Sequence, residues 1–277
     1  MKSLSRLISD WLRIDVLKSA RHRLFMHCPK ILPRPRPLTG TKKKVLLIGI
    51  YLGDKVNTVD HLYAAFQSDA GIAVEQRWAA LGKISTNPSV RAVTRFTVTV
   101  PESKYILLNR LMQPGDFDRF DYIVVTDDDL YIRPNFLSQL ISHQVFYGFA
   151  CAQAARAWHS HFDLTFVLRR PWLKARQTRF VEAGPLVSMR IDAARMLLPF
   201  DDRTPLWGVD LTWYPVLEKH GLTMGIIDAL SMDHSLRPQG HEYKRAQEQT
   251  SMEEFLRSRE HLSMEHAFTT IKTFRWL

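Results

Sequence analysis

The chain has 277 residues, 45% hydrophobic and 24% charged, a globular composition with room for one large domain or two small ones. Its net charge of +10 is concentrated at one end: residues 1–44 hold 12 Lys or Arg against 2 Asp or Glu, and the rest of the chain holds 26 of each. An electrically balanced body speaks against a nucleic-acid-binding domain, and no run of about 18 apolar residues is present to cross a membrane.

Residues 3–17 read as a helix, with Leu4, Leu7, Ile8, Trp11 and Leu12 on one face and Arg6, Arg13 and Lys18 outside it. Such a helix suits an anionic membrane surface; the plainer alternative is packing on its own domain with a solvated basic face. It lacks the apolar core of a secretory signal. The P-R-P-R-P run at 33–37 reads as an extended linker, which sets residues 1–44 apart from a single domain over 45–277. Cys28 and Cys151 show no metal spacing and read as free thiols of a reducing compartment. The expected location is cytoplasmic, peripheral to the inner face of the cell membrane.

Val45–Gly53 is almost wholly apolar and fits a central parallel strand buried on both faces. A turn at 54–57 leads to a helix over 58–67, a strand over 72–78, a short helical piece within 83–95 and a strand over 96–100. A helix over 104–112 and a P-G-D turn at 114–116 follow. Alternation of strands and helices predicts a mostly parallel sheet covered on both sides. The second half predicts a mixed extension, with strands over 146–154, 164–168, 180–189 (broken at Gly184–Pro185) and 222–227, closed by Asp228. Helices are expected at 191–198, 207–218 and 251–262, and Phe274 and Trp276 are expected to fold back on the domain.

The chemistry centres on F-D-Y-I-V-V-T-D-D-D-L-Y-I, residues 120–132, between that turn and a helix expected over 134–143. A short β-branched run ends in Asp127, Asp128 and Asp129, and ligands of open α/β sheets bind beyond the carboxyl ends of strands. Asp127 and Asp129 share one side of an extended strand end while Asp128 points away. Their oxygens suit a hard divalent cation, which can hold a diphosphate. An acidic loop that caps the following helix reads from the same residues. His234 can add a neutral imidazole ligand, or be an ordinary packed histidine. Asp210, in the first turn of its helix, suits a general base or simple capping. Glu182 precedes a Gly-Pro break that can bring backbone close to a ligand.

A D-x-D after a strand, then G-P-L-V-S, then W-G-x-D opening a helix, then a late His, resembles the GT-A glycosyltransferases. A closer similarity is to a family of plant and bacterial proteins catalogued as a domain of unknown function. That family also carries a misleading lysine-ketoglutarate-reductase trans-splicing label. The similar segments are L-L-I-G-I-Y-L-G-D-K (46–55), K-Y-I-L-L-N-R (104–110), D-Y-I-V-V-T-D-D-D-L (121–130), V-E-A-G-P-L-V-S (181–188), W-G-V-D (207–210) and G-I-I-D-A-L-S-M-D-H (225–234). The resemblance implies a GT-A-like α/β domain that transfers a sugar from a nucleotide-sugar donor, a UDP-sugar first of all, to a hydroxyl of a glycan or glycolipid, with inversion. It implies Mn²⁺ or Mg²⁺ held by Asp127, Asp129 and His234, and Asp210 as the base. Asp54, Lys104, Asn109, Arg110 and Asp128 become donor-site candidates, and Glu182, Gly184, Trp207 and Gly208 acceptor-site candidates. The competing readings are another divalent-metal enzyme, such as a phosphohydrolase, and a non-catalytic membrane-surface protein of the same fold. Tyr131 stands where an aspartyl-phosphate phosphatase would carry Thr.

Overall fold

A computed structural model describes residues 41–100, 102–237 and 245–275. The expected N-terminal helix, the Pro-rich linker, Cys28 and Trp276 lie outside them. The elements are β1 (Lys44–Leu52), α1 (Val59–Gln67), β2 (Ala73–Leu81), α2 (Pro88–Val93), β3 (Thr94–Val98), α3 (Lys104–Leu111), α4 (Asp116–Arg119) and β4 (Tyr122–Thr126). Then come α5 (Phe136–Tyr147), β5 (Phe149–Arg156), β6 (Leu173–Thr178), β7 (Leu186–Arg190), α6 (Ile191–Leu197), α7 (Trp213–Lys219), β8 (Thr223–Met232), α8 (Arg245–Arg257), α9 (Met264–Ala267) and β9 (Thr270–Arg275).

All nine strands form one sheet in the order β3-β2-β1-β4-β7-β5-β8-β6-β9. β1 pairs in parallel with both β2 and β4, and β5 pairs in parallel with β8. Among the described strands only β6 and β7 run against the others, so the sheet is parallel from β3 to β4 and mixed beyond it. The period of two in β1 divides its side chains between two cores. Leu46 and Ile48 join one core with α3, α6 and α7, while Val45, Leu47 and Tyr51 join the other with α1 and α5. Ile123 and Val125 of β4 split from Tyr122 and Val124 in the same way. No helix among the described residues is long and apolar enough to cross a membrane.

The second half departs from expectation at definite points. Helix α5 runs on to Tyr147 and ends at Gly148, whose φ of 73° caps it, so Phe146 and Tyr147 belong to the helix and not to a strand. Residues 164–168 are not a full strand. They hold one 3₁₀ turn (Thr165–Val167) and a single bridge from Leu168 to Arg156 of β5, and the carbonyls of Phe166 and Leu168 accept from the Arg176 guanidinium. Strand β8 does not close at Asp228 but runs through it to Met232. Asp228 is tolerated there, fully buried, because Arg176 on β6 meets both its oxygens, at 2.9 and 3.2 Å. Within the expected 180–189 strand only Leu186–Arg190 pairs. The expected helix over 207–218 is a 3₁₀ turn at Val209–Thr212 followed by α7. Phe274 does fold back, on β9, against Tyr147 and Phe149.

Candidate active site

Strands β1, β4, β5 and β8 point their carboxyl ends to one edge, and β7 begins there, with Leu186 opposite Thr126. The three aspartates follow β4 at this edge. Their loop is fixed from both sides. Thr58, ahead of α1, donates its N–H and its hydroxyl to the Asp128 carbonyl at 2.6 and 2.8 Å. Tyr131 and Asp233 exchange two backbone hydrogen bonds, at 2.8 and 3.0 Å, and this bridge draws the end of β8 to the aspartate loop. The bridge explains why His234 lands on Asp129, with Nε2 at 3.0 Å from Oδ1.

Residues 182–185 join the pieces. Glu182 meets Arg156 Nε at 2.9 Å. The Ala183 N–H donates to Asp210 Oδ2 at 3.4 Å. Gly184 lies against Asp127 and Lys104: a Cβ there would stand 2.9 Å from Asp127 Oδ2 and 3.2 Å from Lys104 Nζ. The Pro185 carbonyl accepts the Asp127 N–H at 2.7 Å. One irregular segment, broken by the cis Gly184–Pro185 peptide, thus brings Asp210, 83 positions along the chain from Asp127, to the same edge.

The charges are uneven. Lys104 Nζ stands 2.5 Å from Asp127 Oδ1. Arg237 pairs with Asp128 and comes within 3.2 Å of Asp129 Oδ2. Burial works against ionisation of Asp129, yet the hydrogen bond from His234 and the Arg237 and Lys104 charges outweigh it and hold its carboxyl at about 2. Burial pushes Asp128 up to about 6 against the pull of Arg237. Asp210 is driven up to about 7, first by burial and then by the Glu182 charge. Burial also raises Glu182, opposed by Arg156.

The sequence-predicted residues therefore divide. Asp127, Asp129, His234, Asp210, Glu182, Gly184 and Lys104 gather at the edge. Asp54 sits just beyond β1, about half exposed, with Lys83 at 3.3 Å. Asn109 is not at the site: its amide is spent on Phe200, donating to the carbonyl at 2.7 Å and accepting the N–H at 2.9 Å. Arg110 turns to Glu102 at 2.8 Å and covers the Phe96 ring. Asp128 does not turn away from Asp129: it is tied to the Leu52 N–H at 2.6 Å and shares the Arg237 guanidinium with Asp129, which fastens β1 to the aspartate loop. Gly208, at φ 94°, faces α8, where a Cβ would stand 2.5 Å from Met252 Cγ. Trp207 is half-buried beside it. Arg156, Gln153 and Arg237 were not singled out from the sequence. Gln153 Oε1 accepts the Glu182 N–H at 2.5 Å. The available signal was a polar Gln153 and a cationic Arg156 in an otherwise apolar strand, F-A-C-A-Q-A-A-R.

Among the described residues no three His, Cys, Asp or Glu side chains are arranged as a metal cluster. Asp127 and Asp129 are instead each matched by a side-chain cation, Lys104 or Arg237. Two neighbouring carboxylates with protein cations as stand-ins, beside a glycine cradle, fit a hard divalent ion.

No family model matches the chain, and no curated protein does. Solved structures do. The mannosyltransferase PcManGT from Pyrobaculum calidifontis, in complex with GDP-Man and Mn²⁺, superimposes with a TM-score of 0.55 at 14% identity, covering 89% of this chain and 73% of that one. A mycobacterial protein gives 0.50 at 11% identity, covering 84% of each chain. GalNAc-T7 with UDP, GalNAc and Mn²⁺ gives 0.48 at 8% identity, and this chain spans 44% of its length. The fold is thus GT-A-like, a mixed nine-stranded α/β sheet flanked by helices. The narrower likeness to the plant and bacterial family gains nothing from these comparisons.

Proposed function

We propose that this protein is a divalent-metal-dependent glycosyltransferase that moves a sugar from a nucleotide-sugar donor to a hydroxyl of a glycan or glycolipid, with inversion. The observation that carries the proposal is the convergence, on residues 182–185, of Asp127 with a carboxyl group at Asp210 whose affinity for protons is matched to neutral pH. Likeness to a structure that contains GDP-Man and Mn²⁺ supports the same class of chemistry.

Asp127 and Asp129 would hold Mn²⁺ or Mg²⁺, with His234 beside them, and the ion would supply positive charge against the leaving diphosphate. Lys104 and Arg237, now paired with the carboxylates, provide further cations at the same edge for phosphate oxygens. Asp54, beyond β1, would meet the ribose or base. Asp210 accepts the proton of the acceptor hydroxyl. Burial, and after it the Glu182 charge, keep it basic, and the Ala183 N–H orients its Oδ2. Glu182 and Gly184 line the approach on the acceptor side, with Trp207 at its rim. In this reading residues 45–277 are the catalytic domain and the basic residues 1–44 meet anionic lipid, at about 1 kcal/mol for each Lys or Arg near the surface.

The test is a mass-spectrometric screen of UDP- and GDP-sugars with Mn²⁺, following release of nucleoside diphosphate and sugar transfer. The wild type consumes one donor class, and Asp210→Asn lowers transfer by about 10²- to 10⁴-fold while still binding the donor. Full turnover in Asp210→Asn would remove Asp210 from the chemistry.

A further inference from the structure

We infer that His234 serves as an N–H donor that positions Asp129, and that Arg156 enforces this role. The inference rests on the proposed cation site but changes its ligand set, because it takes His234 off the cation and makes it the support of a carboxylate that binds it.

A guanidinium has five N–H donors and no acceptor. Arg156 Nη1 lies 2.7 Å from His234 Nδ1, so Nδ1 must be the acceptor. The other Nη1 hydrogen goes to the His161 carbonyl at 2.7 Å, and Nε–H goes to Glu182 Oε2 at 2.9 Å. Arg156 is 2% exposed, and turning it would strand a buried carboxylate and a carbonyl. With Nδ1 bare, the imidazole carries its hydrogen on Nε2. That nitrogen lies 3.0 Å from Asp129 Oδ1 and donates to it.

A nitrogen bearing hydrogen has no in-plane lone pair for a cation. Ligation through Nε2 would move the hydrogen to Nδ1 and set two donors face to face at the Arg156 contact. The backbone holds the ring in place as well: the His234 N–H donates to Ser160 Oγ at 2.9 Å, and the His234 carbonyl accepts the His161 N–H at 3.0 Å. Arg156, His234 and Asp129 therefore form a directed chain of donors ending on Oδ1. Asp129 keeps Oδ2, which Arg237 faces at 3.2 Å, for the cation. Such a partner sets the angle and charge of a metal-binding carboxylate without touching the metal.

The full-length chain, labelled with ¹⁵N-histidine and free of metal, tests the assignment by long-range ¹H–¹⁵N correlation, with the His234 signals identified by their loss in His234→Gln. The expected wild-type spectrum shows a protonated Nε2 and a bare Nδ1, and Arg156→Met gives a mixture of tautomers. Pulsed electron paramagnetic resonance of the same chain with Mn²⁺ and UDP is expected to show no directly bound imidazole nitrogen. His234→Gln keeps an amide N–H for Asp129 and is expected to hold Mn²⁺ within about 3-fold of wild type, whereas His234→Leu weakens it by about 10- to 100-fold. A hydrogen on Nδ1 in the wild type, or an imidazole nitrogen coupled to bound Mn²⁺, overturns the inference. Failure of Mn²⁺ to bind at all would strike the proposed metal-dependent transfer, while the tautomer spectrum would still decide the Arg156–His234 assignment.

Discussion

Replacing Asp210 by Asn should make the folded protein more stable at alkaline pH, in proportion to the burden the native carboxylate imposes. The Asp210 carboxyl is pushed from an ordinary 3.8 to about 7 by burial and by Glu182. A raised carboxyl in the folded state binds more protons than its unfolded counterpart between those two values. Stability therefore falls as pH rises from about 4 to about 7 and stays low above that. A displacement of about three units at 1.36 kcal/mol each sets an upper limit of about 4 kcal/mol. Asn keeps the acceptor for the Ala183 N–H but has no charge to desolvate. Urea unfolding of both proteins at pH 5 and pH 8 measures the difference. The advantage of Asp210→Asn should grow by about 2–4 kcal/mol between the two conditions, while transferase activity is lost. An unchanged or shrinking advantage at pH 8 would mean that Asp210 is not held in a desolvated, repulsive position, and the case for it as the base would fall with that.

Gly184→Ala should fold with a stability cost below about 1 kcal/mol, because its Cβ meets only the ends of two flexible side chains, yet weaken Mn²⁺-dependent nucleotide binding by about 10-fold; calorimetry and urea unfolding separate the two effects. Arg176→Leu strands the buried Asp228 carboxylate and should cost about 3–5 kcal/mol in urea unfolding. Asn109→Ala loses two hydrogen bonds to Phe200 and should cost about 1–3 kcal/mol with nucleotide affinity unchanged; weaker nucleotide binding would return Asn109 to the donor site.

The first half of the fold was legible because β1 and β4 are continuous apolar runs bounded by polar turns, and both of these strands lie within two residues of their predicted limits. The second half was less so because its register is set by buried charges and not by periodicity. Asp228 reads as a strand end until Arg176 is seen across from it, and residues 164–168 read as a strand until that same guanidinium is seen taking their carbonyls. The site shows the same division. Asp127 and Asp129 follow a legible strand. Asp210 and His234 arrive through contacts distant in sequence, the Ala183 N–H and the Tyr131–Asp233 bridge, that no local pattern encodes. Asn109 and Arg110 show the limit of reading function from a motif segment alone, since one ties a helix to a turn and the other lies on a phenylalanine ring.

The most direct test of the central claim is calorimetric titration of UDP and GDP into the full-length chain, with Mn²⁺ and then with EDTA, for wild type and Asp129→Ala. Mn²⁺-dependent binding of one nucleotide by the wild type, lost both with EDTA and in Asp129→Ala, is the predicted result. Binding of neither nucleotide under either condition would contradict it and would leave Asp127, Asp128 and Asp129 as an acidic turn of purely structural use.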